Sequence, residues 1–292
     1  MGLLIIGLCG QSVFLRVPHF HVPGETLHAS ELFFEPGGKG YNQAVASARM
    51  GAEVVFAGAV GQDEAGEQCE ERLVREGIAA RLIRKAGRTA YASILTDDSG
   101  ENRVTVYPGV CLTPEDVKGL EDDFQSAELL LLTPEIPEEA FVEAIRLARK
   151  HGVPFVLNPA PFFPWVTPYL QYAWLLTPNR SEACELLSCL PEELEYSITA
   201  SGLSRMIVTL GADGVFCFEN GKLIRIPAPS VQAVNTTGAG DCLNGVLCTL
   251  LLEGMDMPKA VEQAVRAASL SVTHVHVLDG MPFRNNLNTR II

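Results

Sequence analysis

Short apolar runs alternate with amphipathic stretches along most of this 292-residue chain. Residues 3–8 are almost continuously apolar, the pattern of a strand buried on both faces. The runs at 129–132, 154–157, 173–177 and 206–209 repeat it. Residues 53–59 read as a further strand. The stretches between these runs carry helical signals. Residues 41–50 are rich in small side chains and stop at Gly51, and residues 64–76 are charged and stop at Gly77. Residues 137–150 place Phe141, Ile145 and Ala148 at helical spacing, and 240–252 and 259–273 close the chain as two more helices. Strands separated by helices of this length predict βαβ units, right-handed crossovers and a mostly parallel sheet in an α/β fold.

Two segments break the rhythm. Residues 12–35 and 89–108 are rich in β-formers and turn residues, and Asp97-Asp98-Ser99-Gly100 marks a hairpin between 91–95 and 103–107. Two such insertions can pair as a small separate sheet, either as surface decoration or as a lid over a site at the strand C-termini.

Composition narrows the class. With 47% hydrophobic and 20% charged residues the chain is too apolar for disorder, and its length suits one large α/β domain or two ordinary ones. A net charge of −13 argues against nucleic acid as the main partner but leaves small anions open, since a helix N-terminus can hold them. The eight cysteines form no C-x-x-C pair and no zinc spacing, which predicts reduced, mostly buried thiols in a cytoplasmic protein. Residues 1–10 lack a basic leader and read as a first core strand. Ile6 stands where myristoylation needs Ser or Thr. No apolar stretch approaches the roughly 20 residues that span a bilayer. The expectation is a soluble, cytoplasmic protein with neither membrane nor nucleic acid as partner.

The richest chemical signal is Asn235-Thr236-Thr237-Gly238-Ala239-Gly240-Asp241, which runs straight into an apolar helix. Glycines there let the backbone approach a ligand, and the unpaired N–H groups of the first helical turn make an anion site. Phosphoryl transfer to a hydroxyl needs such a nest beside a carboxylate. The N–H groups hold the phosphoryl oxygens, and the carboxylate takes the alcohol's proton. The same residues also read as a glycine-rich helix cap with a capping Asp. A second glycine turn, Pro36-Gly37-Gly38-Lys39-Gly40-Tyr41-Asn42-Gln43-Ala44, enters another helix. It is not a Walker A loop, because Phe33 and Gly40 occupy two of the defining positions, and neither turn completes a dinucleotide fingerprint. Lys39 and Asn42 could grip sugar hydroxyls, or Lys39 could simply be solvated.

Together the two turns resemble the signatures of the ribokinase-like (PfkB) carbohydrate kinases, residues 37–51 the N-terminal one and residues 235–241 the C-terminal D-T-x-G-A-G-D. Val60-Gly61-Gln62-Asp63-Glu64-Ala65-Gly66 is similar to the family's G-x-D-x-x-G step, and Leu157-Asn158-Pro159-Ala160-Pro161 to its N-P-A-P. Thr177-Pro178-Asn179-Arg180-Ser181-Glu182 is similar to T-P-N-x-x-E, and Thr209-Leu210-Gly211-Ala212-Asp213-Gly214 to T-L-G-x-x-G. The matches follow in order over nearly the whole chain, with the ribokinase branch nearest. The resemblance implies a three-layer ribokinase-like fold in one kinase domain, 1–292, with 12–35 and 89–108 as a small β lid. It implies ATP-dependent phosphorylation of a primary hydroxyl on a small sugar or sugar-like substrate, with ATP and Mg²⁺. Asp241 would be the catalytic base and Gly238, Ala239 and Gly240 the anion hole. Asn179, Thr209, Gly211 and Gly214 would line the ATP groove, and Glu182 would help hold Mg²⁺, largely through water. Ser12, Gly38, Lys39, Asn42 and Glu135 would face the acceptor. A homodimer through the lid follows from the same resemblance. A nucleoside kinase of this family and a degenerate kinase acting as a ligand-binding regulator are the alternatives. A nicotinamide-dependent oxidoreductase lacks its fingerprint.

Some positions depart from the pattern. Ribokinase-type chains follow the first strand with an Asn and then an Asp that grips two sugar hydroxyls, whereas this chain has Gly10 and Ser12. Each hydrogen bond to a charged group contributes about 1.5–3 kcal/mol, so a Ser hydroxyl does not replace the carboxylate, and ribose is disfavoured as acceptor. The family's monovalent-cation site opens with an Asp that is Asn235 here, and it continues into residues 274–280, which argues against dependence on K⁺. His19 with His21, and His274 with His276, have strand-like spacing and read as lid or core histidines before metal ligands. Cys184 and Cys189 read as packing, and Glu192, Glu193 and Glu195 as a solvated face. The proline-rich loop at 158–168, with Phe162, Phe163 and Trp165, reads either as a wall of the acceptor pocket or as ordinary packing.

Overall fold

The computed structural model describes residues 2–288. Met1 of the expected first strand and residues 289–292 of the expected domain lie outside the described residues. The strands are β1 (Gly2–Ile6), β2 (Gly10–Arg16), β3 (Glu31–Gly37), β4 (Glu53–Gly61), β5 (Ala79–Lys85), β6 (Ala90–Thr96) and β7 (Asn102–Tyr107). They continue as β8 (Leu129–Leu132), β9 (Phe155–Leu157), β10 (Leu175–Leu176), β11 (Arg205–Thr209), β12 (Val215–Glu219) and β13 (Lys222–Ile226). Among the described residues nine of them form one sheet, in the order β13-β12-β11-β10-β9-β8-β1-β4-β5. From β11 to β5 every pairing is parallel, and β12 and β13 add an antiparallel hairpin at the edge.

Both faces of this sheet are covered, which is why its strands read as continuous apolar runs. Successive side chains of a strand point to opposite faces. Leu3 and Ile5 accordingly join a core with the helices Lys39–Arg49, Ala239–Leu252 and Met257–Ser271. Leu4 and Ile6 join a second core with Phe141, Ile145 and Leu147 of the helix Glu138–His151. The result is a three-layer arrangement. The cysteines carry no disulfide, and Cys9, Cys69, Cys217, Cys242 and Cys248 are buried, as the composition predicts.

The two irregular insertions pair as a separate four-stranded sheet in the order β3-β2-β6-β7. Pairing runs wider than expected, from Gly10 against Gly37 and Ala90, while the middle of the first insertion, 17–30, contributes no strand. The hairpin marked by Asp97-Asp98-Ser99-Gly100 is present as β6 and β7, in antiparallel register with Thr96 opposite Asn102. Besides the short helices Pro114–Lys118, Glu121–Ser126, Arg180–Leu187 and Leu194–Ala200, two features of the main sheet have no counterpart in the sequence analysis. One is β5, whose apolar positions are diluted by arginines. The other is the β12–β13 hairpin, turned by Asn220 and Gly221, both at positive φ. An Asn-Gly pair between β-formers is the signal that marks it. Residues 274 and 276 are corrected: they lie in bends between Met257–Ser271 and the short helix Val277–Gly280, not in a strand, because the chain reverses there to pack on the start of Ala239–Leu252.

Phe141 ties this scaffold to the loop after β9. It is fully buried and meets Trp165 edge-on, with centroids 5.1 Å apart, and Tyr169 at 6.0 Å. Phe141→Ala is expected to lower the unfolding free energy by about 3–5 kcal/mol, read as a shift in the denaturant midpoint.

Candidate functional site

Two cavities meet at the start of the helix Ala239–Leu252. One, of about 750 Å³, lies between the small sheet and the C-terminal ends of the main sheet. Ser12, Gly38, Lys39, Asn42, Glu135, Gly238 and Asp241 border it. The other, of about 690 Å³, is bordered by Asn179, Thr209, Gly211, Gly214, Ala239 and Gly240. The first helical turn is the partition between them. Gly238 caps it at φ 78°, a conformation that favours glycine, and Asp241 sits in the first turn, where the helix dipole favours a negative charge. Of the residues nominated from sequence, Glu182 alone borders neither cavity. The loop after β9 does wall the first one, through Pro161, Phe163 and Trp165.

Asp241 is only 6% exposed. Its Oδ2 accepts from Asn42 Nδ2 at 2.9 Å, and its Oδ1 accepts from Gln43 Nε2 at 3.3 Å. Burial pushes its carboxyl above the ordinary aspartate range, and Lys39 with these two donors holds it back. Glu135 accepts the Lys39 N–H at 2.7 Å and is pushed up to about 7, chiefly by burial and further by the Asp241 charge. Burial alone would lower Lys39, but Asp241, Glu135 and Glu182 together raise it. The site thus holds one lysine among three carboxylates.

The residues missed from sequence are the ones that fix Asp241 together with Asn42. Gln43 is fully buried, and its Nε2 also reaches Asn158 Oδ1 at 3.0 Å. Asn158 Nδ2 donates to Thr177 O at 2.7 Å, Thr177 Oγ1 to Asn244 Oδ1 at 2.6 Å, and Asn244 Nδ2 to Gly240 O at 2.8 Å. This circuit starts on the carboxylate and ends on the backbone of the same helical turn. Gln43 and Asn158 lie inside the two glycine- and proline-marked motifs, so the signal was their position within them. Asn42 Oδ1 and Gln43 Oε1 have no partner though both are buried. At the Asn179 end, a capping box starts the helix Arg180–Leu187. Asn179 Oδ1 accepts from Glu182 N at 2.9 Å, and Glu182 Oε2 accepts from Asn179 N at 2.8 Å.

Residues 2–284 match the family described as pfkB family carbohydrate kinase. The chain is a pfkB family carbohydrate kinase. It is 33% identical to ribokinase of Bacillus subtilis (strain 168) over 289 residues, covering 98% of each chain. The kinase superposes on ribokinase from Giardia lamblia with a TM-score of 0.90 at 24% identity, over 98% and 97% of the two chains, a likeness of fold. Arabidopsis thaliana ribokinase complexed with ribose and ATP gives a TM-score of 0.85 at 25% identity, over 98% and 96%.

The departing positions have physical explanations in this kinase. A Cβ at Gly10 would lie 2.6 Å from Ala90 O, because β2 and β6 close on each other there, so no side chain fits. Asn235 donates through Nδ2 to Val275 O at 2.8 Å and accepts the Thr237 N–H at 2.9 Å. A cation there would need oxygens turned inward, and an amide nitrogen facing the carbonyl does not fit one. Two of the histidines have partners other than a metal: His19 Nε2 pairs with Glu25 at 2.8 Å, and His276 lies edge-on to Phe33. Among the described residues no group of three or more His, Cys, Asp or Glu could hold a metal, and no helix is long and apolar enough to cross a membrane. ADP formation and the thermal midpoint of this kinase are expected to be equal in NaCl and KCl. Strong activation by K⁺ would show that another set of oxygens binds it.

Proposed function

We propose that this kinase transfers the γ-phosphoryl group of ATP to a primary hydroxyl of a small sugar or sugar-like alcohol, with Asp241 as the base. The observation that carries the reading is the partition: Asp241 opens onto one cavity, while Ala239 and Gly240 of the same turn open onto the other. A nucleotide in the Asn179–Gly214 cavity presents its terminal phosphate to N–H groups of residues 238–240, which balance the charge that develops on the oxygens. An acceptor in the other cavity lies under the small sheet, which acts as a lid. Its hydroxyl gives its proton to an Asp241 oxygen as it attacks phosphorus. Asn42 Oδ1, buried and unpartnered, keeps its hydrogen-bonding capacity for a second donor from that acceptor. Glu182 keeps its Oε1 outside the capping box and fits Mg²⁺ held mainly by phosphate oxygens and water. Bound there, the ion would neutralise charge on the phosphates.

Asp241→Asn is expected to lower kcat by about 10²–10⁴ while leaving nucleotide affinity in place. Because burial lifts the Asp241 carboxyl, the ionised base exists only above that lifted value, and activity falls as pH drops through it. Asn42→Ala removes a donor that holds the value down, so the acid limb of the kcat/KM profile moves to higher pH.

A specific observation favours acceptors that carry a flat ring, such as nucleosides, over bare pentoses. Phe163 stacks on Trp165 with centroids 5.8 Å apart and planes 10° from parallel, and Phe163 is 38% exposed at the cavity wall. Phe14, Ile94, Val104 and Val106 add apolar surface to the lining on the small-sheet side, where a flat ring gains more by burial than a hydroxylated pentose does. In a panel assay of ADP formation, inosine is expected to exceed D-ribose, and Ser12→Asp to narrow the gap. A panel with no ADP formation at all would favour a ligand-binding regulator.

The opposite face of the lid carries Leu32, Phe34 and Tyr107, exposed at 59%, 54% and 55%. An apolar patch of this kind suits a second copy of the chain, giving a homodimer through the lid. Phe34→Asp is expected to halve the sedimentation mass if that reading holds.

A further inference from the structure

Glu35 is a buried carboxylate on β3 that none of this chemistry uses. Its Oε2 accepts the Val277 N–H at 3.0 Å and its Oε1 the Leu278 N–H at 3.1 Å, so both oxygens close the start of the helix Val277–Gly280. His276, the residue before that helix, makes no side-chain cap. Its ring lies 4.3 Å from that of Phe33, on the same strand as Glu35. Val277 in turn presses on the phosphoryl turn, since a Cβ at position 238 would come within 2.5 Å of its Cγ1. A second connection comes from the far edge of the small sheet. Asn102 on β7 donates through Nδ2 to Thr237 Oγ1 at 3.0 Å, and its Oδ1 is held by Thr96 Oγ1 at 2.6 Å.

β3 and β7 are the two outer strands of that sheet. Each edge therefore sends one side chain to the residues flanking Gly238. We infer that Glu35 and Asn102 are positioning residues that couple the sheet over the acceptor cavity to the 236–240 turn. This rests on the reading that the turn holds the phosphoryl group. A sheet pinned at one edge could swing about that edge without disturbing the turn. Pinned at both edges, it cannot shift without moving Thr237 and Val277, so the arrangement that covers the acceptor is also the one that orders the turn. Coupling of this kind is reciprocal: whatever stabilises the turn also stabilises the seated sheet.

Hydrogen exchange measured by mass spectrometry, with AMP-PNP and Mg²⁺ as the probe and no acceptor present, tests this directly. In the wild-type kinase AMP-PNP should slow exchange at 236–243 and also at 31–37 and 102–107. In Glu35→Ala and in Asn102→Ala protection at 236–243 should remain, while the nucleotide-induced protection of the sheet falls by about threefold or more. Glu35→Gln keeps one acceptor oxygen and should fall between. A merely structural role would loosen the sheet equally with and without nucleotide. Should Glu35→Ala fail to fold, Asn102→Ala, which removes only partly buried side-chain contacts, decides the matter. Sheet protection that persists in the folded variants, or that is missing in wild type although AMP-PNP binds, overturns the inference alone. Failure of wild type to bind AMP-PNP by calorimetry overturns the kinase reading and this inference with it.

Discussion

One buried carboxylate, set in the first turn of a helix whose residues Ala239 and Gly240 border a different cavity, is the constraint on which the rest of this structure depends. A charge so withdrawn from water is costly unless donors surround it. Asn42 and Gln43 supply those donors from a helix 199 and 198 residues away in sequence. They can do so only because the helices Lys39–Arg49 and Ala239–Leu252 pack almost backbone to backbone. A Cβ at Gly245 would sit 2.5 Å from Gln43 O, and Ser47 Oγ bonds to both Gln43 O and Gly245 O. The close packing of two helices in the core is thus what brings two distant glycine turns to one point.

The electrostatics follow from that geometry. Lys39 faces Asp241, Glu135 and Glu182, and its positive charge restrains carboxyls that burial would otherwise neutralise. Three carboxylates around one lysine leave the site short of positive charge. Phosphate oxygens would therefore be met by backbone N–H groups and by a divalent ion rather than by side-chain cations. Such a division of labour would let a chain with net charge −13 hold an anion.

Local chemistry was legible in the sequence, and long-range chemistry was not. The glycine turns, the helix stops at Gly51 and Gly77 and the Asp97–Gly100 hairpin each depend on residues within a few positions of one another. Gln43, Asn158, Thr177 and Asn244 matter through bonds that span 19 to 198 residues, and no periodicity reveals such a circuit. The spacing of His274 and His276 misled for the same reason: alternation suggests a strand, but the tertiary need to pack Val277 on Gly238 bends the chain there. Gly10 reads from sequence as the loss of a polar side chain, and only the approach of Ala90 shows that the position has no room for one.

The turn at 235–240 is held by several of the protein's own groups. Asn235 joins Thr237 to Val275, and Arg49 reaches Leu278 O and Met281 O while its other nitrogens hold Glu76. Glu35 accepts the Val277 and Leu278 N–H groups at the start of the short helix that packs against Gly238. A turn that relied on a bound ion would be ordered only as far as the ion was bound, so its geometry would vary with salt. Here these contacts are made when the chain folds, before any nucleotide or acceptor binds. A carboxylate and an amide in those places therefore tie the geometry of the turn to the protein's own contacts.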